Sequence, residues 1–205
     1  MNGEKTRLGM MLFILSEGVF FLLLVLAYLN YHRQQGNGPT AAGSLNLLKT
    51  GVFSIFLFSS SATMALAVRG LRRGFSGTDT GAREQGSGGV LVRPGRRMAA
   101  VGLLTTFALG AVFLVGQGLE YAALLRSDVT ISRDLFGTTF FTLTGFHGLH
   151  VFIGLLMISL LTGITLRGRR GQPRPGAVEA VSIYWHFVDA VWVVIFSVVY
   201  LWAFL

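Results

Sequence analysis

The chain has 205 residues, 52% of them hydrophobic and only 13% charged, with 17 Lys+Arg, 9 Asp+Glu and no Cys. Soluble domains carry about 25% charged residues, so a water-soluble enzyme is excluded and a polytopic membrane protein remains. The missing cysteines exclude disulfides, Cys zinc sites, iron–sulfur clusters, C-x-x-C-H haem attachment and thiolate-bridged copper. The net charge of +8 is informative by its placement along so apolar a chain and is not read as a nucleic-acid signal.

Five apolar stretches, at about 8–31, 45–68, 98–125, 136–166 and 177–205, each exceed the ~20 residues that cross a bilayer core as a helix. The expected fold class is therefore all-α, one membrane domain of five transmembrane helices. The four prolines (Pro39, Pro94, Pro173 and Pro175) fall between the spans, as uninterrupted helices require.

The first span, 8–31, contains Glu17 and ends without a small-residue cleavage site, unlike a signal peptide. Glu17 is followed by an apolar run to Leu26, and a carboxyl group at that depth must be protonated, paired or reached by water. It is a candidate for lipid binding or proton-uptake support; the plainer reading is a neutral side chain bonded to a neighbouring helix. His32 is expected in a loop.

The second span, 45–68, leads into a Gly-, Arg-, Ser- and Thr-rich connection, 69–97, expected to be a flexible cytoplasmic loop. Its arginines could meet lipid headgroups or a neighbouring subunit, or simply be solvated. In the third span, 98–125, Glu120 and Tyr121, with Gln117 one turn earlier, are expected to form a polar interfacial patch near the outer end.

The fourth span, 136–166, carries His147 and His150 on one helical face. Gly145 and Gly148 share that spacing and predict close approach of a partner backbone. The two histidines could begin a metal or haem site, but further ligands would have to come from elsewhere. His186, the nearest candidate, counts out roughly 10 Å deeper toward the cytoplasm, so interhelical hydrogen bonding is favoured and no metal site is expected.

In the fifth span, 177–205, His186 and Asp189 stand three apart and can pair on one face. His186 also counts out level with Glu17, so either a Glu17–His186 or a His186–Asp189 pair is expected. Glu179 lies near the cytoplasmic end, within reach of water. Tyr28, Tyr31, Tyr184, Trp185, Tyr200 and Trp202 are read as interfacial anchors.

Thirteen of the 17 basic residues fall at the N-terminus and in the second and fourth connections. The positive-inside rule then places the N-terminus in the cytoplasm and the C-terminus outside. No internal repeat is evident, which disfavours an inverted-repeat transporter.

The run Phe140-Phe141-Thr142-Leu143-Thr144-Gly145-Phe146-His147-Gly148-Leu149-His150-Val151 resembles a signature of subunit III of the haem–copper oxidases, the cytochrome c oxidase subunit III family, in its five-helix bacterial form. Tyr184-Trp185-His186-Phe187-Val188-Asp189-Ala190-Val191-Trp192 resembles that family's last-helix signature, and Leu15-Ser16-Glu17 its glutamate-bearing helix. Gln117-Gly118-Leu119-Glu120-Tyr121 fits the intervening region, so the resemblance covers nearly the whole chain. It implies a non-catalytic subunit of a proton-pumping terminal oxidase in the bacterial plasma membrane. Such a subunit packs against haem-bearing subunit I, alongside subunit II and further respiratory subunits. It holds phospholipid and supports proton uptake, with Glu17 as the family's intramembrane glutamate. Glu120, His147, His150, His186 and Asp189 are then structural polar residues, and haem and copper belong to the partner subunits. Longer members have seven helices, and the two that precede the glutamate helix are missing here.

The residues agree with that division of labour. A haem–copper catalytic subunit needs about half a dozen histidine ligands, and a copper-carrying electron-entry subunit needs cysteines. A quinol-oxidase subunit III and a nitric-oxide-reductase-associated paralogue stay open. So does a small b-haem membrane cytochrome, which a reduced-minus-oxidised spectrum of the chain distinguishes.

Overall fold

A computed structural model describes residues 2–32, 47–76, 94–126, 135–167 and 173–201. They form α1 (Asn2–His32), α2 (Leu47–Ser76), α3 (Pro94–Arg126), α4 (Leu135–Leu166) and α5 (Pro175–Ile195), the last continuing into a π-helical turn at Phe196–Leu201. All five are long and apolar enough to cross a membrane, and no described residue is in a strand.

The helix boundaries depart most from the expected spans at the start of α1, which begins at Asn2 and not at 8, and around the 69–97 segment. The 69–97 segment was expected to be a loop throughout, but α2 runs on to Ser76 and α3 begins at Pro94. Charged residues end a hydropathy segment long before they end a helix, because Arg is a good helix former. Residues 77–93 lie outside the described residues, as do Tyr31's side chain and Trp202. His32, expected in a loop, is the last residue of α1. Pro94 and Pro175 stand first in their helices, where the missing N–H had no partner to lose.

The main contacts close a ring in the order α1, α4, α3, α2, α5, with α5 also against α4. Within a membrane the hydrophobic effect does not drive helices together, so close packing and interhelical hydrogen bonds must. The seam between α2 and α3 uses the first device. A Cβ on Gly70 would lie 2.8 Å from the Gly95 carbonyl oxygen, and one on Gly102 would lie 2.9 Å from the Ala67 Cβ. Ala67 and Ala99 are wholly buried in this seam, and Thr63 and Thr106 meet across it at 2.7 Å.

The helix α5 uses the second device. Its buried stripe runs Val178, Tyr184, Trp185, Val188, Asp189, Trp192 and Ile195, the three-to-four spacing of one helical face. The π-helical turn keeps Val199 and Tyr200 buried in continuation of that stripe. The expected spacing glycines, Gly145 and Gly148, are not the close-approach sites: the nearest atoms to a Cβ there are 3.7 and 3.8 Å away. Gly110 and Gly154 do that work instead, holding the Trp185 indole between them, with a Cβ at either 2.7–2.8 Å from the ring.

The expected interfacial anchors are also relocated. Tyr28, Tyr184, Trp185 and Tyr200 are at most 2% exposed. An aromatic with a polar tip suits a headgroup layer, but it suits a helix seam equally when its O–H or N–H finds a partner. At the cytoplasmic end expected from the sequence, Arg96 donates from Nε and Nη2 to the carbonyls of Thr165 and Leu166. This satisfies the open C-terminal end of α4.

Candidate functional site

Three polar clusters cross the bundle, and each sequence candidate belongs to one of them or stands beside it. The first joins α1 to α4. His150 Nε2 lies 3.1 Å from Glu17 Oε2, while His150 Nδ1 lies 2.7 Å from the Phe146 carbonyl oxygen. A carbonyl can only accept, so Nδ1 carries a proton and donates. A proton must then also lie between Nε2 and Oε2, held by the carboxyl group or by an imidazolium. Either way the pair shares one proton and is neutral as a unit, which suits its depth.

Aromatic rings enclose this pair. Phe21 meets His150 edge-on at 5.0 Å and Tyr184 stacks over it at 6.5 Å. Phe13 stacks on Tyr184, and Tyr184 donates to the His150 carbonyl at 3.1 Å. The two side chains differ in access: His150 is 11% exposed and Glu17 23%. The carboxyl group is therefore the end of the pair nearer the outer surface of the bundle.

The expected Glu17–His186 pair does not form. Gly18 faces Phe187, so the depth assignment is sound. However, α1 meets the Phe187 side of α5, and His186, one residue away, is turned about 100° from it. The His186–Asp189 pair is not direct either. Ser61 of α2 bridges them, 2.9 Å from His186 Nδ1 and hydrogen-bonded to Asp189 Oδ2. Asp189 is buried, whereas His186 is exposed.

The sequence reading missed this serine ladder. Trp185 Nε1 donates to Ser60 Oγ at 2.9 Å and Trp192 Nε1 to Ser54 Oγ at 2.8 Å. The signal was present in Ser59-Ser60-Ser61, three hydroxyls inside an apolar span. Trp185 and Trp192 stand seven apart on α5, matched by hydroxyls six apart on antiparallel α2, two helical turns on each.

The third cluster surrounds Glu120. Thr50 Oγ1 donates to Oε1 and Tyr200 OH to Oε2, both at 2.7 Å, with Gln117 Nε2 at 3.4 Å. These residues were expected to form an interfacial patch. They form an internal lock joining α2, α3 and α5, because Gln117 and Tyr200 are buried. Tyr121 turns the other way and bonds Thr144 of α4 at 2.7 Å.

His147 stands apart from all three. It is wholly buried, stacked on Trp192 at 4.9 Å with the Phe113 edge at 6.0 Å, and neither ring nitrogen has a hydrogen-bond partner. Interhelical hydrogen bonding was expected of both histidines of α4; His150 forms such a bond and His147 packs as an aromatic. Among the described residues no three His, Cys, Asp or Glu side chains converge as a metal site would require.

The comparisons with known proteins agree on one family. The family model described as cytochrome c oxidase subunit III matches residues 87–204. A cytochrome c oxidase subunit 3 of Synechocystis sp. is 37% identical over 195 residues, covering 94% of this chain and 74% of the relative. A probable cytochrome c oxidase subunit 3 of Mycobacterium leprae is 32% identical over 197 residues, covering 96% and 88%. A cytochrome bo(3) ubiquinol oxidase subunit 3 of Pseudomonas aeruginosa is 31% identical over 201 residues, covering 98% and 86%. With its five membrane-spanning helices, the chain belongs to the cytochrome c oxidase subunit III family, the third subunit of terminal respiratory oxidases.

Proposed function

We propose that the chain is the supporting subunit of a proton-pumping haem–copper oxidase in a bacterial plasma membrane, one membrane domain with its N-terminus in the cytoplasm. It packs against haem-bearing subunit I, in a complex with subunit II, and it binds phospholipid. Haem and copper stay in those partners, and oxygen is reduced there. The observation that carries this reading is how the intramembrane carboxyl groups are used. Glu17, Glu120 and Asp189 are each hydrogen-bonded to a side chain of another helix, which is what a scaffold requires.

Glu17 is the residue assigned to proton supply and lipid contact. It shares a proton with His150, and its side chain is 23% exposed beside the exposed apolar residues Phe13 and Leu15. The open apolar groove lined by Phe107, Ala111, Leu114 and Phe152, between α3 and α4, has the chemistry for an acyl chain. Removing this chain from the complex should leave initial oxygen reduction largely intact but shorten the period for which turnover is sustained. An unchanged time course would contradict the reading.

Cytochrome c is the proposed electron donor, because the Synechocystis and Mycobacterium relatives carry that name. The Pseudomonas relative, named for ubiquinol, supports quinol as the second reading. Oxidation of reduced cytochrome c against ubiquinol by the purified complex separates the two.

A further inference from the structure

One face of the bundle carries a polar side chain that no packing among the described residues completes. His186 lies eleven residues above the start of α5, about 16 Å along the helix axis, so it is near the middle of the hydrocarbon. Ser61, eleven residues above Arg72 at the end of its span, reaches the same depth from α2. At that depth there is no water to satisfy an exposed ring nitrogen, and intramembrane ionisable groups ordinarily face a protein interior or a polar cavity. Yet His186 is exposed, on the side of α5 that lies between α1 and α2.

The bonding of the cluster leaves one open end. Ser61 has a single proton and two partners, Asp189 Oδ2 and His186 Nδ1. It can donate to one of them only, so it accepts from the other. Whichever way the chain runs, His186 Nε2 is left with one unfilled role, as acceptor or as donor. Small side chains adjoin it. Ala190, one turn above His186, is exposed, and Ala65, one turn below Ser61, is half-buried. A helix backbone can approach closely there, as small residues permit in membranes.

We propose that this face, centred on His186 and Ala190, is the seam against a membrane-spanning helix of the haem-bearing partner subunit. That helix brings a Ser, Thr, Asn or Gln side chain to His186 Nε2 at mid-membrane depth. Those four types can meet the ring nitrogen as donor or acceptor, and none brings a net charge into the hydrocarbon. A seam of this kind also explains why Asp189, buried with Oδ1 unpartnered, lies behind it: the carboxyl group anchors the serine that orients the ring. The inference rests on the oxidase-subunit reading and specifies which face meets the partner.

The chain has no cysteine, so single thiols report directly. Ala190→Cys and, as a control on the outer face of α4, Leu160→Cys are introduced into the full chain and purified as the complex in mild detergent. Alkylation by a small maleimide is measured for each, relative to the same variant unfolded in SDS. The expected result is protection of the thiol at 190 at least about tenfold beyond that at 160, where Leu160 is 68% exposed. Equal reaction at the two sites in an intact haem-containing complex overturns the seam while leaving the subunit assignment standing. Failure of any haem-bearing subunit to co-purify overturns the assignment itself. Independently, His186→Leu should weaken subunit association about threefold, the effect of one ordinary interhelical hydrogen bond, and His186→Asn should restore part of it. Association unchanged by His186→Leu also contradicts the seam.

Discussion

Glu17 and Glu120 are both carboxyl groups inside the membrane, and they are held in opposite ways. Glu120 receives three neutral donors, from Thr50, Tyr200 and Gln117. None of these takes up or returns a proton readily, and together they fasten three helices around the carboxyl group. Among the described residues Glu17 has a single side-chain hydrogen-bond partner, His150, the residue type best able to take and return a proton. An intramembrane carboxyl group is therefore not by itself a functional signal. What distinguishes a lock from a proton-holding site is the chemistry of its partner.

Substitution by glutamine should break the equivalence most sharply. At position 120 the amide presents an N–H₂ where a hydroxyl already donates; that hydroxyl can only turn to accept, and its proton loses the carboxyl oxygen as acceptor, at a cost of about 1–3 kcal/mol. Thermal unfolding of Glu120→Gln should show a clear loss of stability. At position 17 the amide can still donate to His150 Nε2, so Glu17→Gln should unfold within about 0.5 kcal/mol of the parent while losing the shared proton. Equal destabilisation at the two sites would end the distinction.

A smaller effect tests the pairing itself. Double-mutant cycles should give a coupling of about 0.6 kcal/mol, and up to about 1.7, between Glu17 and His150. Between Glu17 and His186 the coupling should be close to zero; coupling there would mean that α1 faces α5 differently. Tyr200→Phe removes one of Glu120's three donors and should cost about 0.6 kcal/mol, visible as a modest fall in melting temperature. The smallest effect belongs outside the hydrocarbon. Arg7 and Glu179 are 3.6 Å apart with side chains 56% and 34% exposed, and Arg7→Ala should change stability by about 0–1 kcal/mol, less in high salt.

The five helices were legible because a hydrocarbon environment imposes length and apolarity on any spanning segment. Depth was legible for Glu17, which lies level with the 186–187 step of α5, but not for His150. His150 counted out roughly 10 Å from His186 and yet bonds Glu17 at that level, because span ends read from hydropathy do not share one plane. What the sequence did not reveal is azimuth. Adjacent residues on a helix point about 100° apart, and choosing between Phe187 and His186 as the neighbour of α1 requires knowing which helices surround α5. The same gap explains the misplaced anchors: Tyr200 near a helix end suits a headgroup layer, and only the positions of α2 and α3 turn it inward to Glu120. The serines of α2 escaped notice because each is small and uncharged. Their importance follows from the two tryptophans opposite, whose indole N–H groups need acceptors once buried.

The most direct test is the lifetime of oxygen reduction in the intact complex carrying Glu17→Gln, followed through sustained turnover beside Glu120→Gln. If the Glu17–His150 pair supports proton supply, Glu17→Gln loses activity faster than the parent although its melting temperature is unchanged, and any loss in Glu120→Gln follows its lower melting temperature. A Glu17→Gln complex that lasts as long as the parent would contradict the account.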